Sequence, residues 1–128
     1  MIASEFSSAV ESIIAAPVIL GLGDLKVLRT GRRAGHVELL LEDPVEAILW
    51  VADLQPHSAD EVQIMRLVEH WAIIHGHRPC LAILVAEDIP PRLANVLAVL
   101  RQAVPLFIIE MQANGGAKAP RFRRLVLR

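Results

Sequence analysis

The stretch from Gly35 to Gln55, GHVELLLEDPVEAILWVADLQ, constrains the fold more than any other part of the chain. Val37, Leu39 and Leu41 alternate with His36, Glu38, Leu40 and Glu42, and Ala47 to Ala52 then runs apolar without a break. Alternation followed by a continuous apolar run predicts a half-covered strand and then a central strand buried on both faces. Glu42-Asp43-Pro44 supplies a tight acidic turn between them. Two acids interrupt this apolar ground, Glu38 and Asp53, and an antiparallel hairpin turning near Asp43 puts both toward its open end. Side chains alternate along a strand, so Asp53 and Gln55 share one face and Leu54 takes the other. A carboxylate in a central strand is costly to bury unless it is paired or holds a cation, which marks this hairpin as a candidate site.

The rest of the chain reads as alternating helices and strands. Ser4 to Ala15 has Phe6, Val10, Ile13 and Ile14 at helical spacing, with Ser4 as the expected N-cap and Pro17 after the end. Val18 to Gly23 reads as an apolar loop, Leu25 to Arg29 as a first strand, and Thr30 to Gly35 as a turn holding Arg32 and Arg33. Ser58 followed by Glu61 is a capping-box pattern for a helix running to about His75, with Ile64, Met65, Val68, Trp71 and Ala72 on its apolar face. Cys80 to Ala86 is a short apolar run that reads as a central strand. Pro90-Pro91 opens another helix, with Leu93, Val96, Leu97 and Leu100 inward. This strand–helix–strand order implies a crossover between parallel strands. Pro105 to Gln112 and Arg121 to Arg128 read as two strands of a C-terminal hairpin around Asn114-Gly115. The arginines of the last segment suit either a charge-protected edge strand or a nucleic-acid rim.

An acid in one strand, a turn, then two apolar residues, an acid and a polar residue two further on resemble the motif of the PD-(D/E)xK, or restriction-endonuclease-like, nuclease superfamily. The resemblance spans Ser4 to Gln112 and is to small members with an αβββαβ core, including mismatch- and flap-type endonucleases. It implies one α/β domain over residues 1–128, with a mixed sheet flanked by helices. It implies a metal-dependent DNA endonuclease in which Glu38 and Asp53 hold Mg2+ or Mn2+ and the Leu54 carbonyl adds a third oxygen. Gln55 stands where the family carries its lysine: it can orient water through its amide but supplies no positive charge. Glu5 matches the glutamate that family members often place on the first helix, with Glu11 the weaker match. Gln63 matches a glutamine near the start of the helix beside the hairpin. Arg32 and Arg33 could contact DNA phosphates, and His36 shares a face with Glu38. The structural alternatives are ordinary ones: an exposed helix charge for Glu5 and Glu11, an exposed helix amide for Gln63, and a solvated turn for the arginines. The alternative function is a catalytically degenerate nuclease-fold module that binds nucleic acid or a protein partner.

Composition narrows these expectations. The chain of 128 residues is long enough to bury a core without disulfides. Hydrophobic content of 54% and mean hydropathy of +0.46 are high for a small domain and point to self-association, most simply a homodimer. Net charge of −1 argues mildly against strong nonspecific binding to nucleic acid. The single Cys80 leaves no internal disulfide and fits a reducing compartment, so a cytoplasmic location is expected. No apolar run is long enough to span a membrane, and no basic segment precedes the first apolar stretch as in a signal peptide. The five histidines lack zinc-site spacing, and no P-loop, dinucleotide glycine fingerprint or serine elbow is present.

Overall fold

The structure, a computed structural model, describes residues 2–112 and 120–127. Its elements are α1 (Ala3–Ala15), β1 (Lys26–Arg33), β2 (His36–Asp43), β3 (Ile48–Ser58), α2 (Glu61–His75), β4 (Cys80–Asp88), α3 (Pro91–Leu100), β5 (Leu106–Gln112) and β6 (Arg121–Leu125). The six strands form one sheet in sequence order. β1, β2 and β3 are antiparallel neighbours, β3, β4 and β5 run parallel, and β6 returns antiparallel along the far edge. The expected mixed α/β sheet with its αβββαβ core and C-terminal hairpin is what forms. The expected hairpin turn around Asn114 lies outside the described residues.

The sheet is covered on both faces, and strand alternation sorts the side chains between them. Val37, Leu39 and Leu41 of β2 and Trp50, Ala52 and Leu54 of β3 pack with Ala9, Val10 and Ile13 of α1. The neighbouring positions, including Leu49 and Val51, pack with Ile64 and Leu67 of α2 and Leu93 and Leu97 of α3. α2 and α3 lie in the two crossovers between parallel strands. Right-handed crossovers that advance the same way across a sheet put both helices on one face. α1, which precedes the sheet, closes the other. Cys80 is buried in the α2–α3 layer, and burial pushes its thiol up to about 11, as suits a core residue without nucleophilic character.

Several local expectations are corrected. Ser4 is not the N-cap of α1: the helix starts at Ala3 with Ile2 as its N-cap, and the Glu5 carboxylate accepts the Ile2 backbone N–H at 3.2 Å. Residues 17–20 form a 3-10 turn rather than a loop. β1 runs on through Arg32 and Arg33, because β2 pairs with it as far as Arg33 opposite His36. The hairpin turn starts after Asp43, whose Oδ1 accepts the N–H groups of Val45 and Glu46. Ser58 does not cap α2. It ends β3, in register with Asp88 of β4, and its hydroxyl donates to the Asp88 carboxylate. The cap is Asp60, which accepts the Gln63 N–H at 2.8 Å and is worth about 1 kcal/mol.

The apolar face of α2 is also turned from its expected setting. Gln63, Ile64 and Leu67 are buried, while Met65 is exposed. The turn has a cause: the Gln63 amide donates to the carbonyls of Asp53 and Val85 at 3.1 and 2.9 Å, tying the first turn of α2 to β3 and β4. On α3, Val96 is exposed rather than inward, and Leu93 and Leu97 carry the contact. The last strand stops at Leu125, short of the expected Arg128.

Candidate metal and phosphate site

Glu38 and Asp53 stand directly opposite each other in the β2–β3 pairing. Both project on the α2 side of the sheet, since Val37, Leu39, Ala52 and Leu54 fill the α1 side. His36 lies two residues before Glu38 on the same face, its Nε2 3.8 Å from Glu38 Oε1. His36, Glu38 and Asp53 each offer one ligand atom within 4.8 Å of the others. On β1 the residue opposite Glu38 is Gly31, and a Cβ built there would sit 3.7 Å from Glu38 Oε2. A larger side chain at that position would therefore stand over the carboxylate. A glycine keeps Glu38 open from the β1 side.

Asp53 is the buried member of the group. Its side chain is 1% exposed, and Arg66 of α2 meets it with a two-pronged fork. Nε donates to Oδ2 and Nη2 to Oδ1, each at 3.0 Å. Nη2 also donates to Gln55 Oε1 at 2.8 Å, and Gln55 Nε2 donates to the Ser58 carbonyl at 2.9 Å. Burial pushes the Asp53 carboxyl above its ordinary range, while the hydrogen bonds and charge of Arg66 and the field of His36 pull it back. Both oxygens accept N–H donors, so the carboxylate is the form that satisfies this geometry. Asp53 in turn holds the guanidinium charged.

α2 brings a second set of groups, of which sequence reading found Gln63 and missed Arg66 and His70. Gln63, Arg66 and His70 are spaced three and four apart, and that spacing stacks them on one side of a helix. His70 is half-buried, and burial lowers its pKa; Glu38 and Asp53 act to raise it and Arg29 to lower it further. Its surroundings therefore include both acids of the cluster. The signal for Arg66 and His70 was this polar stripe beside the apolar face of α2, visible only once the rotation of the helix is known.

The expected site residues divide clearly. The structure brings together Glu38, Asp53, Gln55 and His36. Gln63 is present as a buried anchor, with no exposure and both amide hydrogens spent on backbone carbonyls. Leu54 is in register with Val37 and Val85, and its side chain belongs to the α1 layer. Glu5 caps α1, whose buried residues pack on the opposite face of the sheet, and it is not among the ligand atoms of the cluster. Glu11 pairs with Arg32 on that same far face. Arg32 and Arg33 consequently part company. Arg33, opposite His36, shares the site face, while Arg32 is turned to α1.

No protein-family model and no curated protein sequence matches the chain. Among solved structures, the apo form of EndoMS is similar, with a TM-score of 0.64 at 19% identity over 82% of this chain and 46% of that one. The chain thus spans about half the length of that protein. At this identity the likeness is one of fold, and the fold, with its six-stranded mixed sheet flanked by helices, is restriction-endonuclease-like.

Proposed function

We propose that the chain acts as a metal-dependent nuclease-like protein on DNA, with Glu38 and Asp53 as the carboxylate ligands. The observation that carries this reading is their direct cross-strand pairing on one face, with His36 beside them. The fold likeness to EndoMS, a nuclease, supports it. The donor set fits a divalent cation. Two carboxylates suit Mg2+ or Mn2+, and the imidazole of His36 tilts the preference toward Mn2+. The carbonyl of Leu54, next to Asp53 in the chain, is a further oxygen of the right kind. Once bound, such a cation would lower the pKa of a water and offset charge on a phosphate.

The chain's own groups divide the remaining work. Glu38 is the more exposed carboxylate, at 29%, and meets solvent and substrate first. Gln55 holds its amide against Ser58 and Arg66 and contributes orientation without charge. Arg66 supplies the positive charge that the motif lacks at Gln55. Arg33, opposite His36, would meet a backbone phosphate. The exposed Val62, Met65, Ile73, Val96 and Val99 on α2 and α3 support a homodimer formed through the outer side of these helices.

Metal-dependent cleavage of single- and double-stranded DNA by the wild type, Glu38→Gln and Asp53→Asn tests the reading. The expected result is cleavage with Mn2+ that falls to background in both variants while their circular dichroism is unchanged. Undiminished cleavage by Asp53→Asn would remove the two-acid site from the mechanism. A second reading is favoured by one observation, the glutamine in place of a lysine. In it, the chain is a degenerate module that binds nucleic acid or a protein partner, and DNA binding without cleavage in any metal would select it.

A further inference from the structure

The acidic cluster and Arg66 make opposing claims on Asp53. The cluster needs the Asp53 carboxylate as its buried ligand. The same carboxylate already holds a guanidinium on both oxygens at 3.0 Å. Each oxygen keeps a further lone pair, so geometry alone does not forbid a second cation. Charge does oppose it. The site is almost closed to water at Asp53, and screening between a guanidinium and a divalent cation sharing one buried carboxylate is weak.

Arg66 is the accessible partner of the pair. Its side chain is 22% exposed against 1% for Asp53, so it forms the outer wall of the pair. Its Nε and Nη2 make the three bonds described above, and Nη1 makes no hydrogen bond among the described residues. A planar guanidinium with two N–H groups left over is suited to a phosphate, which it can bind in the same two-pronged way as a carboxylate. Gln55 supports the resting position: its amide is fixed by Ser58 and presents Oε1 to Nη2.

We propose that Arg66 is a phosphate-responsive gate on this cluster. In the free protein its fork neutralises Asp53, and a nucleic-acid backbone phosphate draws the guanidinium outward so that His36, Glu38 and Asp53 can take a divalent cation. The proposal rests on the metal-site reading above. It makes cation and nucleic acid cooperative ligands, and linkage requires the effect to be mutual: DNA tightens cation binding by the factor by which cation tightens DNA binding.

Calorimetric titration of the whole chain with Mn2+ tests it, with and without a saturating short duplex made resistant to hydrolysis by phosphorothioate linkages, after subtraction of Mn2+ binding to the duplex alone. In the wild type the duplex should tighten Mn2+ binding about tenfold, within the usual range of such couplings. In Arg66→Gln the free protein should bind Mn2+ more tightly than the wild type does, and the duplex should add little. Should Arg66→Gln fail to fold, Arg66→Lys keeps a charge without the fork and should show a reduced coupling. Equal Mn2+ affinity with and without duplex in the wild type overturns the gate. So does a coupling of full size in Arg66→Gln or Arg66→Lys, because the duplex phosphates would then be ligating the metal by themselves. Asp53→Asn separates this failure from that of the underlying reading. Loss of Mn2+ binding in that variant keeps the two-acid site whatever the duplex does, and retained binding removes the site itself.

Discussion

The two faces of the sheet are made by the same strands and behave as different materials. Toward α1, the buried residues of β2 and β3 are Val37, Leu39, Leu41, Trp50, Ala52 and Leu54, and the layer continues through Ile83 and Val85 to Ile109 and Met111. Toward α2, the same β3 begins with Leu49 and Val51 and then turns polar at Asp53 and Gln55. The period of two along a strand lets one face be dry packing while the next residue serves chemistry. The polar half lies where the first half of α2, anchored by Gln63, delivers Arg66. Buried charge on this face is tolerated because Asp53 arrives with Arg66 on both its oxygens, whereas the ion pair on the α1 side, Arg32 with Glu11, is exposed.

The contrast can be broken most severely at Arg66. Replacing it with Met leaves Asp53 buried and unpaired, which should cost about 3 to 5 kcal/mol in urea denaturation. Adding Asp53→Leu should restore most of that loss, because a well-packed apolar pair often matches a buried ion pair. A double variant no more stable than the single one would mean that the pair is not the source of the loss. The opposite face gives a different signature. Leu39 is fully buried in the α1 layer, and Leu39→Ala should cost about 3 kcal/mol through lost transfer and a residual cavity. Folded Leu39→Ala should retain the Mn2+ affinity of the wild type. A weakened affinity there would mean that the two faces are coupled and that the packing layer tunes the site.

The legible part of the molecule is that fixed by short-range pattern. The turn near Asp43 and the alternation before it put Glu38 and Asp53 at the open end of one hairpin, and the residue-by-residue register agrees. The unbroken apolar run of β4 and the prolines before α3 announced the parallel crossovers. The illegible part depends on rotation and competition. Ser58-x-x-Glu61 and Asp60-x-x-Gln63 both fit a cap pattern, and the choice is made by β4, which pairs with Ser58 through Asp88. Met65 and Arg66 are adjacent, and a turn of α2 by one residue exchanges them between solvent and site. That turn is set by two hydrogen bonds from Gln63 to strands distant in sequence. Arg32 and Arg33 read as a pair, yet the extension of β1 places them on opposite faces, one to Glu11 and one beside His36.

The mildest test uses His70, the last member of the α2 stripe. Its pKa lies below the ordinary 6.5, first because burial disfavours the imidazolium and then through Arg29, while Glu38 and Asp53 act against the shift. A depressed histidine pKa means that the unfolded chain takes up the proton first as pH falls. Its contribution to stability is therefore fully present above about 6.5 and is lost as pH falls through the folded value. His70→Gln should remove this component, so the difference in unfolding free energy between wild type and variant should narrow as pH drops from neutrality. Asp53, raised by burial, works with the opposite sign: its contribution is present below the ordinary 3.8 and lost as pH rises through its folded value. Taking the difference between wild type and His70→Gln cancels that second contribution wherever the windows overlap, to the extent that the substitution leaves the field at Asp53 unchanged. A difference that stays constant from neutral to mildly acid pH would mean that His70 is solvated in solution and that the polar half of the α2 face ends at Arg66.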